Sequence, residues 1–304
     1  MEIVSKLVEP TMLLFVVSSM LAVGLSLTLA QILHPLRDLK LVALSLAANF
    51  VVMPMIAVGI ARALRLDEPL GVALLLLGAA GGAPFLPLLV RISKGNVAFS
   101  VALMVLLMVV TVGYMPIVLP FLLEGVSVDP LKIVSSLVLV MMLPLGIGLA
   151  VRGKFSSAAA KIRRPLNRFS TLSLAALILL LLVTNIKNVV GLFGTRGVLA
   201  SVLFIVAGSV VGWIMGANGP DMKSVLALGT AQRNIAAALV VGGEDFEDAR
   251  VVVMIVVVAI VGLLLLMSFA RLLGRRVAAD AFPSSISNPV HPNPRIVSGA
   301  GHKS

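Results

Sequence analysis

Residues 224–241, SVLALGTAQRNIAAALVV, read as a hydrophobic helix with a polar hole in its middle. Apolar residues fill both ends, while Gln232, Arg233 and Asn234 stand together at the centre. A charged side chain at the middle of a membrane helix costs about 2.5–3.5 kcal/mol on insertion scales. Apolar sequence extends well to either side of Arg233, so its stem cannot carry the charge out to the interface. It therefore needs a partner inside the bundle, a water-filled cavity, or the carbonyl groups bared where a helix unwinds. Gly229 and Thr230 lead into the trio, so the stretch is predicted to be an interrupted helix. As a planar fork of donors, Arg233 could grip a carboxylate or sulfonate bidentately, or point at the carbonyl ends of the broken helix. A purely structural tether is the competing reading.

The rest of the chain supplies the membrane that this reading assumes. Of 304 residues, 60% are hydrophobic and 12% charged, with a mean hydropathy of +1.13, where soluble domains carry about 25% charged residues. Apolar runs of spanning length lie near 11–33, 40–61, 70–90, 97–122, 131–151, 172–190, 198–215, 224–241 and 251–273. The expected fold is thus an all-α polytopic membrane protein of about nine transmembrane helices, one transmembrane domain over 1–276. The Ser-, Pro- and Gly-rich remainder, 277–304, is expected to be a disordered tail. Lys6 and Glu9 precede an apolar run that lacks a small-residue cleavage site, so the first helix is expected to stay in the protein.

The net charge of +11 would suggest nucleic acid in a soluble protein, but here the basic residues fall between apolar runs, where topology uses them. They cluster after the first run (Arg37, Lys40), the third (Arg91, Lys94), the fifth (Arg152 to Arg168) and the ninth (Arg271, Arg275, Arg276). Asp67, Glu68, Glu124, Asp129, Glu244, Asp245, Glu247 and Asp248 fall in the other loops. The N-terminus is expected outside and the C-terminus in the cytoplasm, in a cell inner or plasma membrane. Partners are then the lipid bilayer and a small-molecule cargo, with oligomeric state left open.

A second run is also interrupted: 70–90 holds Gly78, Gly81, Gly82, Pro84 and Pro87. With the fifth run set aside as a connector, runs one to four and six to nine form two repeats of opposite orientation, and the two interrupted runs hold equivalent places. The crossover is therefore expected at Gly81, Gly82, Pro84, Pro87 and Gly229. Facing it, Thr230, Gln232, Arg233, Asn234, Thr111 and Tyr114 are the candidate substrate-binding residues, with Asn49, Thr184 and Asn185 as weaker candidates. His34 and Lys187 read as interfacial, and Trp213 as an interface anchor. No paired carboxylates, metal-spaced histidines or Ser-His arrangement occur at depth, and there is no cysteine, so no enzyme site and no metal site is expected.

Two segments resemble the bile acid:sodium symporter family. GAPFLPLLVRISKGNVAFS at 82–100 looks like the family's first broken helix, and GTAQRNIAAAL at 229–239 is similar to its second crossover. GLSLTLAQILHPLRDLK at 24–40 and Pro116 also fit. The resemblance implies inverted repeats, a core and a panel domain, and transport of an organic anion, carboxylate or bile-acid-like, by alternating access. It also implies sodium, but the family's ion ligands are largely replaced here. Its Ser-Asn falls on Leu86 and Pro87, its Glu on Gly229 and its Gln on Arg233; only Thr111 and Tyr114 remain in a helix that is hydroxyl-rich in the family. The expectation is transport without sodium, Arg233 supplying a fixed charge in place of one ion. The alternatives are a non-transporting sensor or scaffold on the same fold, or a sodium symporter with rebuilt ion sites.

Overall fold

A computed structural model describes residues 6–33, 37–123, 129–184, 196–216 and 219–280, and among these every regular element is helical. His34, Glu124, Asn185, Lys187 and the chain from 281 onward lie outside the described residues. The elements are α1 (Val8–Gly24), α2 (Leu29–Leu33), α3 (Leu39–Ala63), α4 (Glu68–Ala79), α5 (Leu86–Ile92), α6 (Val97–Leu122), α7 (Pro130–Lys154), α8 (Ser156–Thr184), α9 (Gly197–Met215), α10 (Pro220–Ala231), α11 (Ile235–Glu244) and α12 (Ala249–Asp280). By length and composition, α3, α6, α7, α9, the α10–α11 pair and α12 can each cross a bilayer.

The apolar runs map onto this with three differences. The first run is not one helix, because residues 25–28 interrupt it. There Ser26 donates back to the Ala22 carbonyl (2.7 Å) and the Thr28 N–H is taken by the Gln31 side chain (3.0 Å), which starts α2 afresh. The sixth run begins far earlier than its apolar part, since α8 takes in the basic stretch from Ser156 and carries Pro165 within it. α12 continues to Asp280, so the first residues assigned to the tail are helical.

The helices sort into two bodies. α1, α7 and α8 pack on one another, and α3–α6 with α9–α12 form the other. Close backbone approach sets both. A Cβ on Gly24 of α1 would overlap the Leu145 carbonyl of α7, and one on Gly212 of α9 would overlap the Leu226 carbonyl of α10. Outward-facing Ile117, Phe121, Leu172 and Ile214 leave an apolar belt.

Cross-contacts fix which ends meet. Arg250 lies 3.8 Å from Asp67, Lys132 2.8 Å from Asp245, and Arg196 donates to the Leu64 carbonyl at one end, the acidic one. Gly95 faces Asp221, Gly274 faces Ile92, and Lys223 lies 5.8 Å from the Trp213 ring at the other, basic end. α4 therefore enters from the acidic end and α10 from the basic end. The two broken helices run in opposite directions and meet halfway.

Candidate functional site

The first break follows from Gly82. Its φ of +81° is one that an L side chain rarely adopts, and a Cβ there would collide with the Met108 backbone nitrogen of α6. The chain thus leaves α4 at Ala79, passes Gly81 and Gly82 flat against α6, and resumes as α5 with Pro87 in its first turn, where a missing N–H costs nothing. Thr111 of α6, fully buried, serves the unwound backbone. It accepts the Gly81 N–H (2.9 Å) and donates to the Gly81 carbonyl (3.0 Å).

The second break spans Gln232, Arg233 and Asn234. Asn234 is fully buried and caps α11 by accepting the Ala237 N–H (3.1 Å) through its side-chain oxygen. Its own N–H donates to the Ala80 carbonyl (2.9 Å), which ties the two breaks together. Gly229, in the last turn of α10, packs against Leu86 and Leu103.

Arg233 fills the crossing itself and is only 2% exposed. Nε donates to the Leu77 carbonyl (2.8 Å) and Nη2 to those of Gly78 (2.7 Å) and Asn49 (3.3 Å). Nη1 donates to the Asn49 side-chain oxygen (2.6 Å) and to the Thr230 carbonyl (3.1 Å). A guanidinium has five N–H groups, and here each has an acceptor. Two of those acceptors are carbonyls from the last turn of α4 and one belongs to the last turn of α10, where a helix end frees carbonyls; that of Leu77 also accepts the Ala80 N–H (3.2 Å). Each helix C-terminus also carries roughly half a negative charge. One buried cation thus answers two converging negative ends.

The Asn49 carbonyl is available for a reason found in α3. Residues Ala48–Val52 form a π turn, in which the Met53 N–H bonds the Ala48 carbonyl and so passes over that of Asn49, its α-helical acceptor. Pro54 follows and has no N–H to give Phe50, four residues back. Tyr114 of α6 takes that carbonyl with its hydroxyl, its ring 4.9 Å from that of Phe50. The same irregular turn therefore presents one acceptor to Arg233 and another to Tyr114.

Buried polar atoms near the crossing remain without partners: the Thr230 hydroxyl, the Gln232 side-chain carbonyl and the Asn234 amide nitrogen. Among the described residues no cluster of His, Asp or Glu could hold a metal ion. At the crossing the Leu77, Gly78, Asn49 and Thr230 carbonyls all accept Arg233 N–H groups.

A cavity lies elsewhere, between the two bodies at the basic end. It holds about 700 Å³ and is lined by residues of α1, the residue 25–28 linker, α2, the first break, α5, α6 and α8. Pro84 and Pro87 line it; Arg233, Asn234, Gln232, Thr230, Thr111 and Tyr114 do not. The structure brings these six and the two breaks together, but leaves Arg233 no N–H to offer a substrate. Thr184 bonds the Leu180 carbonyl of its own helix. The cavity residues that sequence reading passed over are Arg91, Arg163, Gln31 and Asn167. The two arginines belong to clusters read only as topology markers.

Residues 11–192 match the model of the Sodium Bile acid symporter family, well over half of the chain. The chain belongs to that family. The match takes in the first break and ends before the second, so Arg233 falls outside it. The chain is 27% identical over 176 residues to the "Uncharacterized sodium-dependent transporter YocS" of Bacillus subtilis (strain 168), covering 56% of this chain and 53% of that one. It is 30% identical over 145 residues to the "Probable sodium/metabolite cotransporter BASS2, chloroplastic" of Oryza sativa subsp. japonica, covering 47% of this chain and 34% of that one. The matched part thus spans about half and about a third of these relatives. Within the sodium bile acid symporter family, two helix breaks that cross in a molecule of two bodies are the arrangement the resemblance implied.

Proposed function

We propose that this protein is a transporter that carries a small organic anion through the cavity by alternating access, and that Arg233 makes the carrier independent of sodium. The observation that carries the second point is the set of five acceptors around the guanidinium. Three are helix-end carbonyls, the groups through which a bound cation would join two broken helices. The charge a sodium ion would supply is here covalently attached. The relatives' names speak of sodium, which makes ion dependence the property to measure.

Proteoliposomes holding the wild type or Arg233→Ala, filled with the unlabelled anion and given in turn sodium, potassium alone or a proton gradient, test this with labelled benzoate, succinate and cholate. Uptake that ignores sodium in the wild type and collapses in the variant is expected. Sodium-driven uptake by the wild type would overturn the fixed-charge reading while leaving transport in place. Binding without uptake under every condition would point instead to a sensor or scaffold.

A further inference from the structure

The two ends of the molecule join their bodies with opposite electrostatics. At the acidic end the first body offers Lys132 and Ser136 of α7, and the second offers Glu244 and Asp245. The Lys132 Nζ lies 2.8 Å from the Asp245 carboxylate and donates to the Glu244 carbonyl (2.6 Å), and the Ser136 hydroxyl donates to the Glu244 carboxylate. Met12 of α1 closes the same contact, its methyl lying over Gly243. Complementary charges hold this end shut.

At the basic end the bodies stand apart around the cavity, and each contributes an arginine to its lining: Arg91 of α5 from the second body and Arg163 of α8 from the first. Among the described residues, neither shares an ion pair. The bias of basic residues toward one membrane face explains their sign, but not that one from each body lines the same cavity. Closing this end would bring two like charges together while water leaves, and the repulsion grows as the medium dries. An anionic group between them would turn repulsion into two charge-assisted contacts.

We propose that Arg91 and Arg163 form an anion clasp, in which the carboxylate or similar group of the cargo lies between the two guanidiniums and permits the basic end to close. Gln31 and Asn167 give the clasp neutral hydrogen-bonding flanks, and Val23 and Val101 give the cargo an apolar wall, so the ligand class is an amphipathic organic anion. The empty carrier then rests open at the basic end, and the protein exchanges one anion for another in preference to returning unloaded. This rests on the transport reading above.

The chain has no cysteine, so single reporters can be read without background. Met12→Cys reports the acidic-end contact, where Met12 is 2% exposed, and Ala98→Cys reports the cavity wall. Maleimide labelling is followed in detergent micelles without organic anion. Arg163→Glu turns repulsion across the cavity into attraction. It should raise the Met12→Cys rate about fivefold or more and lower the Ala98→Cys rate by a similar factor, the scale of typical coupling between sites. Arg91→Glu should do the same. The double reversal, Arg91→Glu with Arg163→Glu, restores like charges and should return both rates to those of the parent.

Benzoate, succinate or cholate should raise the parent's Met12→Cys rate and leave an Arg91→Gln/Arg163→Gln variant unmoved. The clasp is overturned if the single reversals leave the rates unchanged, if the double reversal behaves like the singles, or if none of the three anions moves the parent. Asp245→Asn separates this from failure of the transport reading, because it loosens the acidic end directly. If it frees Met12→Cys while the reversals do not, the clasp alone falls. If nothing frees it, the two bodies do not move and both readings fall.

Discussion

At the first helix break the unwound backbone is held from outside, by a glycine that lets α6 approach and a threonine hydroxyl that bonds Gly81 on both sides. At the second, the break supplies its own anchor, and Arg233 reaches from it to carbonyls of α4, α3 and α10. The two sites join at a single backbone bond, Asn234 N–H to the Ala80 carbonyl. The first break is therefore maintained by shape and neutral hydrogen bonds, the second by charge. Shape tolerates the loss of one bond better than a buried charge site tolerates the loss of its cation, since several acceptors lose their donors at once.

This contrast can be broken in steps. The largest effect is expected from Arg233→Ala, which takes a donor from five buried acceptors; the Leu77 carbonyl keeps the Ala80 N–H, and each acceptor left unmade costs about 1–3 kcal/mol. Thermal unfolding in detergent should show a marked loss of stability, and Arg233→Lys, with a compact head and fewer donors, should recover only part of it. Gly82→Ala comes next. The positive φ alone costs about 1–3 kcal/mol, and the collision with the Met108 backbone adds to it, so stability should fall with the crossing charge still in place.

Thr111→Val keeps the shape and removes the hydroxyl that Gly81 uses twice. A loss of about 1–3 kcal/mol is expected, readable as a smaller shift of the same unfolding transition. The smallest effect is expected from Thr230→Val, which keeps the shape and removes a buried hydroxyl that has no partner. A drop as large as that of Arg233→Ala would mean that this hydroxyl holds a group essential to the fold.

Much of this was legible in the sequence where charge and length speak directly. Residues 97–122 form one helix to the residue, because nothing polar enough to end it occurs before Leu122, and Asn96 caps its start. The second break was legible because a charged residue between two polar ones, deep in an apolar run, demands acceptors that an unbroken helix keeps for itself. The gap at residues 25–28 was hidden, since Leu25, Ser26, Leu27 and Thr28 keep an apolar average while two of them divert hydrogen bonds. So was the basic stretch of α8, because charge excludes the hydrocarbon core but not a helix at its edge.

Within the site, Asn49 could be suspected but not paired. Its role depends on a π turn that redirects the Met53 N–H, and on a partner 184 residues away. The arginines of the cavity were visible as residues and invisible as a pair, because lining one cavity depends on where α5 and α8 stand around it.

The permanence of the Arg233 charge has an energetic meaning for the whole cycle. A coupling ion does work because it arrives on one side and leaves on the other. A guanidinium bonded to the chain makes every outward journey in reverse on the way back, so over a full cycle it moves no net charge and draws nothing from an ion gradient. A monoanionic cargo would then cross the membrane field unaccompanied, at roughly 2.3 kcal/mol per 100 mV. In a membrane whose interior is negative, that field pushes anions out, so a carrier built on this crossing would run as an exporter, or trade one anion for another and leave the voltage behind.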